Sequence, residues 1–127
     1  MKKVIVGALA ALTMIVSPAA FAQEATGSVP RAYMIGSYDI KDQAVFQQYI
    51  EAASPLVTQY GGRVIVYNPN VTAIEGSSRS VIAIAEFPSL ADAKRYYNSP
   101  EYTAARQFFT KSTEGFRIIT EGAGLPQ

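Results

Sequence analysis

The sequence predicts an α+β domain in which a four-stranded antiparallel sheet carries its helices on one face. Three observations predict it. Four segments are rich in β-branched and aromatic residues, apolar residues recur at helical spacing in two of the intervals between them, and Gly, Pro or Asn marks the boundaries. The order is strand, helix, strand, strand, helix, strand, which is the split βαβ or ferredoxin-like arrangement.

The first strand is predicted over residues 32–38. Its alternating side chains are apolar on both faces, with Met34 and Tyr38 on one and Tyr33 and Ile35 on the other. A strand that is buried on both faces shows this pattern.

The first helix is predicted to begin after Asp42, which can cap it, and to end at the glycine pair Gly61 and Gly62. Pro55 is expected to kink it, because the proline ring meets the carbonyl of the preceding turn. Its apolar residues recur at helical spacing: Phe46, Tyr49, Ile50, Ala53, Val57 and Tyr60.

The central strands are predicted over residues 63–67 and 79–87, with a further short strand over residues 71–75 between two turns. After them, Ser89 and Ser99 are each expected to cap a helical segment, the second with a proline at its first position. Residues 116–120 form the last predicted strand.

The first 22 residues are predicted to be a secretory signal peptide that is removed. Two lysines precede an uncharged run at residues 4–16, and Ala20 and Ala22 supply the small side chains that a signal peptidase reads. A membrane anchor needs roughly 20 apolar residues, more than this run contains. We expect cleavage between Ala22 and Gln23, a periplasmic or secreted protein, and no stable membrane insertion afterwards.

The mature chain is expected to comprise a flexible leader (residues 23–31), one domain (32–122) and a short tail (123–127). It has no His or Cys, which excludes Ser-His-Asp and Cys-His catalysis, zinc sites built on His or Cys, and disulfides. Its near-zero net charge gives no reason to expect nucleic acid as a partner. Because the strands are apolar on both faces, a second copy is expected to cover the face without helices, making a homodimer.

The chain resembles the bacterial family known as domain of unknown function 1330, in the dimeric α+β barrel superfamily. The resemblance rests on Tyr60–Arg63 with the Glu75–Gly76 pair, on Glu86–Ser89, and on Tyr97–Tyr102 with Arg106. It implies a ferredoxin-like subunit and a dimer, without an agreed reaction. Superfamily relatives include cofactor-free monooxygenases, haem-degrading enzymes and stress-response proteins, and the usual haem-ligating His has no counterpart here.

Glu86 is the best candidate for a catalytic residue. It follows an apolar run and shares a strand face with Ile82 and Ile84, so it could be partly buried with a raised pKa and act as a base or ligand anchor. The favoured alternative is a structural ion pair at a strand end, with Arg63 or Arg79 as partner.

Arg63 and Arg79 could hold an acidic ligand, or they could be solvated strand ends or partners of Glu75 and Glu86. The eight tyrosines could stack on an aromatic ligand, although core filling explains most of them first. From the family-like motif, the predicted ligand-binding set also includes Tyr97, Tyr102 and Arg106.

The leading hypothesis is therefore an exported homodimer that binds a small acidic or aromatic molecule between sheet and helices, with no metal or cofactor. A cofactor-free monooxygenase or isomerase, with Glu86 as base, is one alternative. A non-catalytic envelope or stress protein is the other.

Overall fold

The computed structural model describes residues 29–124, so the predicted signal peptide, most of the leader and the last three residues lie outside the described residues. Within this range the chain forms one antiparallel sheet in the order β2-β3-β1-β4. The predicted α+β, ferredoxin-like arrangement is confirmed. The elements are β1 Ala32–Ile40, α1 Gln43–Gln59, β2 Arg63–Asn68, β3 Val81–Phe87, α2 Leu90–Asn98, α3 Pro100–Ser112 and β4 Thr113–Glu121.

Each of the predicted helix caps is present. The side chain of Asp42 accepts a hydrogen bond from the Val45 amide at 3.1 Å and starts α1. Ser89 and Ser99 cap α2 and α3 in the same way, each with a donor amide at 3.1 Å. After the last turn of α1, Gly61 adopts a left-handed backbone conformation, with φ +78°. The helix itself continues past Pro55 to its end at Gln59.

Two of the strand predictions were wrong. Residues 71–75 form no strand; they lie in the loop that connects β2 to β3, where the Val71 amide donates to the carbonyl of Ser80. The last strand is longer than predicted, since β4 begins at Thr113 and pairs with all nine residues of β1. Backbone pairing with β1, rather than the local density of apolar residues, sets the length of β4.

The helices cover one face of the sheet. The core contains sheet residues of a single parity, such as Met34 and Phe87, packed against helix residues such as Val57 and Tyr102. The predicted division of β1 into two apolar faces is confirmed by its alternating burial. We call the other side of the sheet the open face; there Phe116 and Ile118 of β4 are 55% and 49% exposed.

An ion-pair cluster at one end of the open face joins β1 and β4 to the loop that precedes β3. Arg79 donates from Nη1 to Asp39 and to Glu114, each at 2.9 Å. Asp39 also accepts from the amide and hydroxyl of Ser80, both at 2.9 Å. Of the two partners considered for Glu86, Arg79 is thus excluded, and Glu86 stands near the other end of β3.

These hydrogen bonds from Arg79 and Ser80 lower the pKa of Asp39 to about 2. Because the folded pKa lies below the ordinary value, the stabilisation by Asp39 is complete above about pH 4 and is lost as the pH falls toward 2. We predict that Asp39→Asn lowers the melting temperature at pH 6 and that the difference from the wild type shrinks steadily below pH 4. Thermal unfolding followed by circular dichroism tests this; a difference that stays constant down to pH 2 would contradict it.

Candidate functional site

A cavity of about 260 Å³ lies between α1 and the sheet, and we call it the inner cavity. Most of its wall is apolar, from residues such as Met34, Ala53 and Val57. Its polar lining residues are tyrosines, Ser54, Thr58 and two arginines, Arg63 and Arg117, and no Asp, Glu or Lys among the described residues lines it. An apolar pocket with a few convergent polar groups is the usual form of a small-molecule site.

Arg117 reaches this cavity from the middle of β4. It stands directly opposite Gly36 of β1. A Cβ atom at Gly36 would lie 3.0 Å from Cγ of Arg117, so the absence of a side chain there lets the arginine lie across the sheet. Gly36 is therefore a positioning residue for Arg117.

Aromatic residues of both packed helices hold the Arg117 guanidinium. Its Nη1 atom donates to the hydroxyl of Tyr49 at 3.0 Å and to the hydroxyl of Tyr102. Its central carbon lies 3.7 Å from the ring centre of Phe109, in the geometry of a cation–π contact. The two tyrosine hydroxyls are themselves 2.8 Å apart.

Arg117 keeps its charge without a carboxylate. None of the carboxylates in residues 29–124 lies within 4.0 Å of it. Burial opposes the charged form, but the hydroxyls of Tyr49 and Tyr102 outweigh this and hold the pKa of Arg117 above its ordinary value. The Nε and Nη2 atoms of Arg117 make no hydrogen bond to any described residue, so this edge of the guanidinium is available to a ligand.

The buried tyrosines of the site are protonated hydrogen-bonding groups. Burial raises the pKa values of Tyr38, Tyr96 and Tyr102 above the ordinary value for a phenol. At neutral pH all three are therefore protonated and cannot take a proton from a ligand, and Tyr38 and Tyr96, which line the inner cavity, can donate a hydrogen bond to one.

Glu86 lies on the open face instead of in the inner cavity. Its carboxylate accepts from Nε of Arg63 at 3.1 Å and from the Tyr33 hydroxyl at 3.3 Å, with Arg31 3.7 Å away. The hydrogen bond from Arg63 is the main reason that its pKa is lowered, so the expected raised pKa was wrong. The ion pair with Arg63 is the interpretation that the geometry confirms.

The other predicted ligand-binding residues divide between two places. Arg63 lines the inner cavity at its exposed edge, with 74% of its side chain accessible. Tyr102 is fully buried and contributes its hydroxyl to Arg117. Tyr97 and Arg106 pair with each other, with Nη1 of the arginine 2.6 Å from the phenol oxygen, and line a separate cleft.

Sequence reasoning missed Arg117, the central residue of the site. A signal was present, because strand alternation places Arg117 and Ile119 on one face and Phe116 and Ile118 on the other. A charge at a core-facing position of an apolar strand is uncommon and marks a candidate site.

The fold and site define a ferredoxin-like α+β domain with an arginine-centred cavity between sheet and helices. The family model for "Domain of unknown function (DUF1330)" matches residues 31–123, and the chain belongs to that family. No curated protein matches it in sequence.

Solved structures show the same fold at low sequence identity. A protein of unknown function from Rhodopseudomonas palustris is 17% identical, with a TM-score of 0.63 over 86% of this chain and 94% of that one. A dimeric protein of ferredoxin-like fold from Bacteroides fragilis is 19% identical, with a TM-score of 0.50 over 72% and 96%. SnoaB, a cofactor-independent oxygenase from Streptomyces nogalater, is 12% identical, with a TM-score of 0.56 over 78% and 100%. These similarities show the fold alone.

Proposed function

We propose that this protein binds a small organic anion with an apolar or aromatic body in the inner cavity. The observation that carries the proposal is the Arg117 guanidinium, which is charged, held by aromatic residues and free of any described carboxylate within 4.0 Å. A cation placed in this way lacks the internal counter-charge that usually accompanies burial. An acidic ligand would supply it.

The cavity matches such a ligand in size and in lining. Its volume of about 260 Å³ is enough for a single substituted ring, and the aromatic side chains offer faces for stacking. The free Nε and Nη2 edge of Arg117 has the geometry for a bidentate pair with a carboxylate. The protonated Tyr38 and Tyr96 add hydrogen-bond donors to this lining, which favours an anion over a cation.

The same lining favours binding over acid–base catalysis. A general base must be able to accept a proton near neutral pH, and no described Asp or Glu lines the inner cavity. Glu86, the predicted base, has a lowered pKa and is held by Arg63 on the open face. A cofactor-free reaction in this cavity would rest on a bound molecule that is already ionised, with Arg117 stabilising its charge.

We predict that benzoate binds to the purified protein and that benzyl alcohol, which has the same ring without the charge, binds at least about ten-fold more weakly. Arg117→Gln should abolish the preference for benzoate, because it removes the charge and keeps a polar side chain of similar reach. Isothermal titration calorimetry gives both affinities.

Lys94→Gln is the matched control, since Lys94 is exposed on α2 and its loss changes the net charge equally. Gly36→Ala is a second variant in case Arg117→Gln does not fold; its Cβ would lie 3.0 Å from Cγ of Arg117 and 3.1 Å from Cε1 of Tyr38, so the variant should weaken benzoate binding. Equal affinities for the two probes, or an unchanged preference in both variants, would refute the proposed site.

We also propose that two copies associate through the open face. Ile35 and Ile82 lie there beside the exposed Phe116 and Ile118, so the face presents apolar side chains from three strands. Burying such a face against its own copy is the usual reason for a symmetric dimer. The structurally similar Bacteroides fragilis protein, which is dimeric, supports the proposal.

We predict that the wild type has about twice the monomer mass by light scattering at micromolar concentration, and that Ile118→Asp converts it to a monomer. A charge buried at the centre of an apolar interface destabilises the assembly strongly. Ala104→Asp, which puts the same charge on the exposed surface of α3, should leave the dimer intact. A monomeric wild type would rule out this mode of association.

Export is the third part of the proposal. Residues 1–22 have the charge, apolar run and Ala20–Ala22 site of a secretory signal peptide. We predict that the 127-residue chain, expressed in a bacterial host, yields a periplasmic protein whose mass is that of a chain beginning at Gln23. Ala22→Arg should block processing, whereas an Ala19→Ser change should not. Intact-mass spectrometry of the periplasmic and cytoplasmic fractions decides it, and a wild type that retains residues 1–22 would contradict it.

A further inference from the structure

A second opening adjoins the inner cavity and shares Phe109 and Arg117 with it. It has a volume of about 540 Å³ and lies between α3 and the first half of β4. We call it the basic cleft, because Arg106, Lys111 and Arg117 line it and no described Asp or Glu does. Phe109 and Arg117 thus lie between the apolar inner cavity and the basic cleft.

The arginines of the described domain fall into two groups. Four of them have a carboxylate within 4.0 Å: Arg31, Arg63, Arg79 and Arg95. The remaining two, Arg106 and Arg117, have no such partner among the described residues, and both line the basic cleft. Unpaired arginines are therefore concentrated at one place.

Aromatic side chains hold both of these arginines in place of carboxylates. The Arg106 guanidinium lies 4.8 Å from the ring centre of Tyr97 and donates to its hydroxyl at 2.6 Å. Arg117 stacks on Phe109 and donates to Tyr49 and Tyr102. A tyrosine or phenylalanine orients a guanidinium without neutralising it, so the full positive charge stays available to a ligand.

We propose that the basic cleft binds a doubly charged acidic head group, such as a phosphate monoester or a paired carboxylate, on the ligand whose body occupies the inner cavity. This inference rests on the proposed function and narrows its ligand class. A single carboxylate would neutralise Arg117 alone, whereas a dianion can also engage Arg106 and Lys111.

The test compares phenyl phosphate with phenyl sulfate at pH 8. The two probes share a ring and a tetrahedral head, but the phosphate carries two charges there and the sulfate one, because the second phosphate pKa is about 6. We expect the wild type to bind phenyl phosphate about ten-fold more tightly. Added salt should reduce this ratio, since the cleft is open to solvent.

Arg106→Gln and Lys111→Gln should each lower the affinity for phenyl phosphate and leave that for phenyl sulfate nearly unchanged, so the ratio moves toward one. Lys94→Gln, with the same loss of charge on α2, should leave the ratio as in the wild type. Arg117→Gln should weaken both probes.

Equal affinities for the two probes, or a ratio that Arg106→Gln and Lys111→Gln both leave unchanged, would overturn the assignment of the basic cleft and leave the proposed function standing. Failure of phenyl phosphate, phenyl sulfate and benzoate to bind would overturn both. The two failures are therefore distinguishable.

Discussion

The structure depends on one guanidinium that lies across the sheet beneath the helices. Arg117 passes over Gly36, stacks on Phe109 and donates to Tyr49 and Tyr102, so it links β4 and β1 to α1 and α3. A buried charge is costly unless its N–H groups are hydrogen-bonded and an opposite charge lies nearby. The hydroxyls of Tyr49 and Tyr102 accept hydrogen bonds from part of the guanidinium. None of the described residues supplies the opposite charge, and the functional proposals rest on this.

The carboxylates of the domain are used elsewhere. At one end of the open face, Asp39 and Glu114 form ion pairs with Arg79. Toward the other end, Glu86 pairs with Arg31 and Arg63 and accepts a hydrogen bond from the Tyr33 hydroxyl. These clusters border the apolar centre of the open face, and neither contributes an acid to the inner cavity. These acids therefore stabilise the ends of strands and frame the proposed dimer surface, while the two arginines without a carboxylate partner among the described residues, Arg106 and Arg117, line the basic cleft.

None of the described helices is long and apolar enough to cross a membrane.

The sheet has apolar residues on both faces for two different reasons. On the helix side they form the core, and on the open face they are available to a second copy of the chain. The inner cavity lies on the first side and the proposed association on the second, so the proposed ligand binding and the proposed dimerisation can be tested by different mutations.

The sequence by itself determined the elements and their order, because local signals carry that information. Asp42, Ser89 and Ser99 specify helix starts through hydrogen bonds to amides three residues on, and Gly61 specifies an end through its left-handed backbone. Strand alternation correctly divided Met34 and Tyr38 from the residues of the opposite face. Such signals need no knowledge of distant residues.

Only the tertiary structure decided the partners. Glu86 could have faced a pocket or an arginine, and strand parity gave its face without saying which face the helices cover. Arg79 donates to Asp39 and Glu114, which are 40 and 35 residues away in sequence. Arg117 donates to Tyr49, which is 68 residues away. These contacts arise where strands and helices from distant parts of the chain meet, so no local pattern encodes which charges have an opposite charge beside them and which do not.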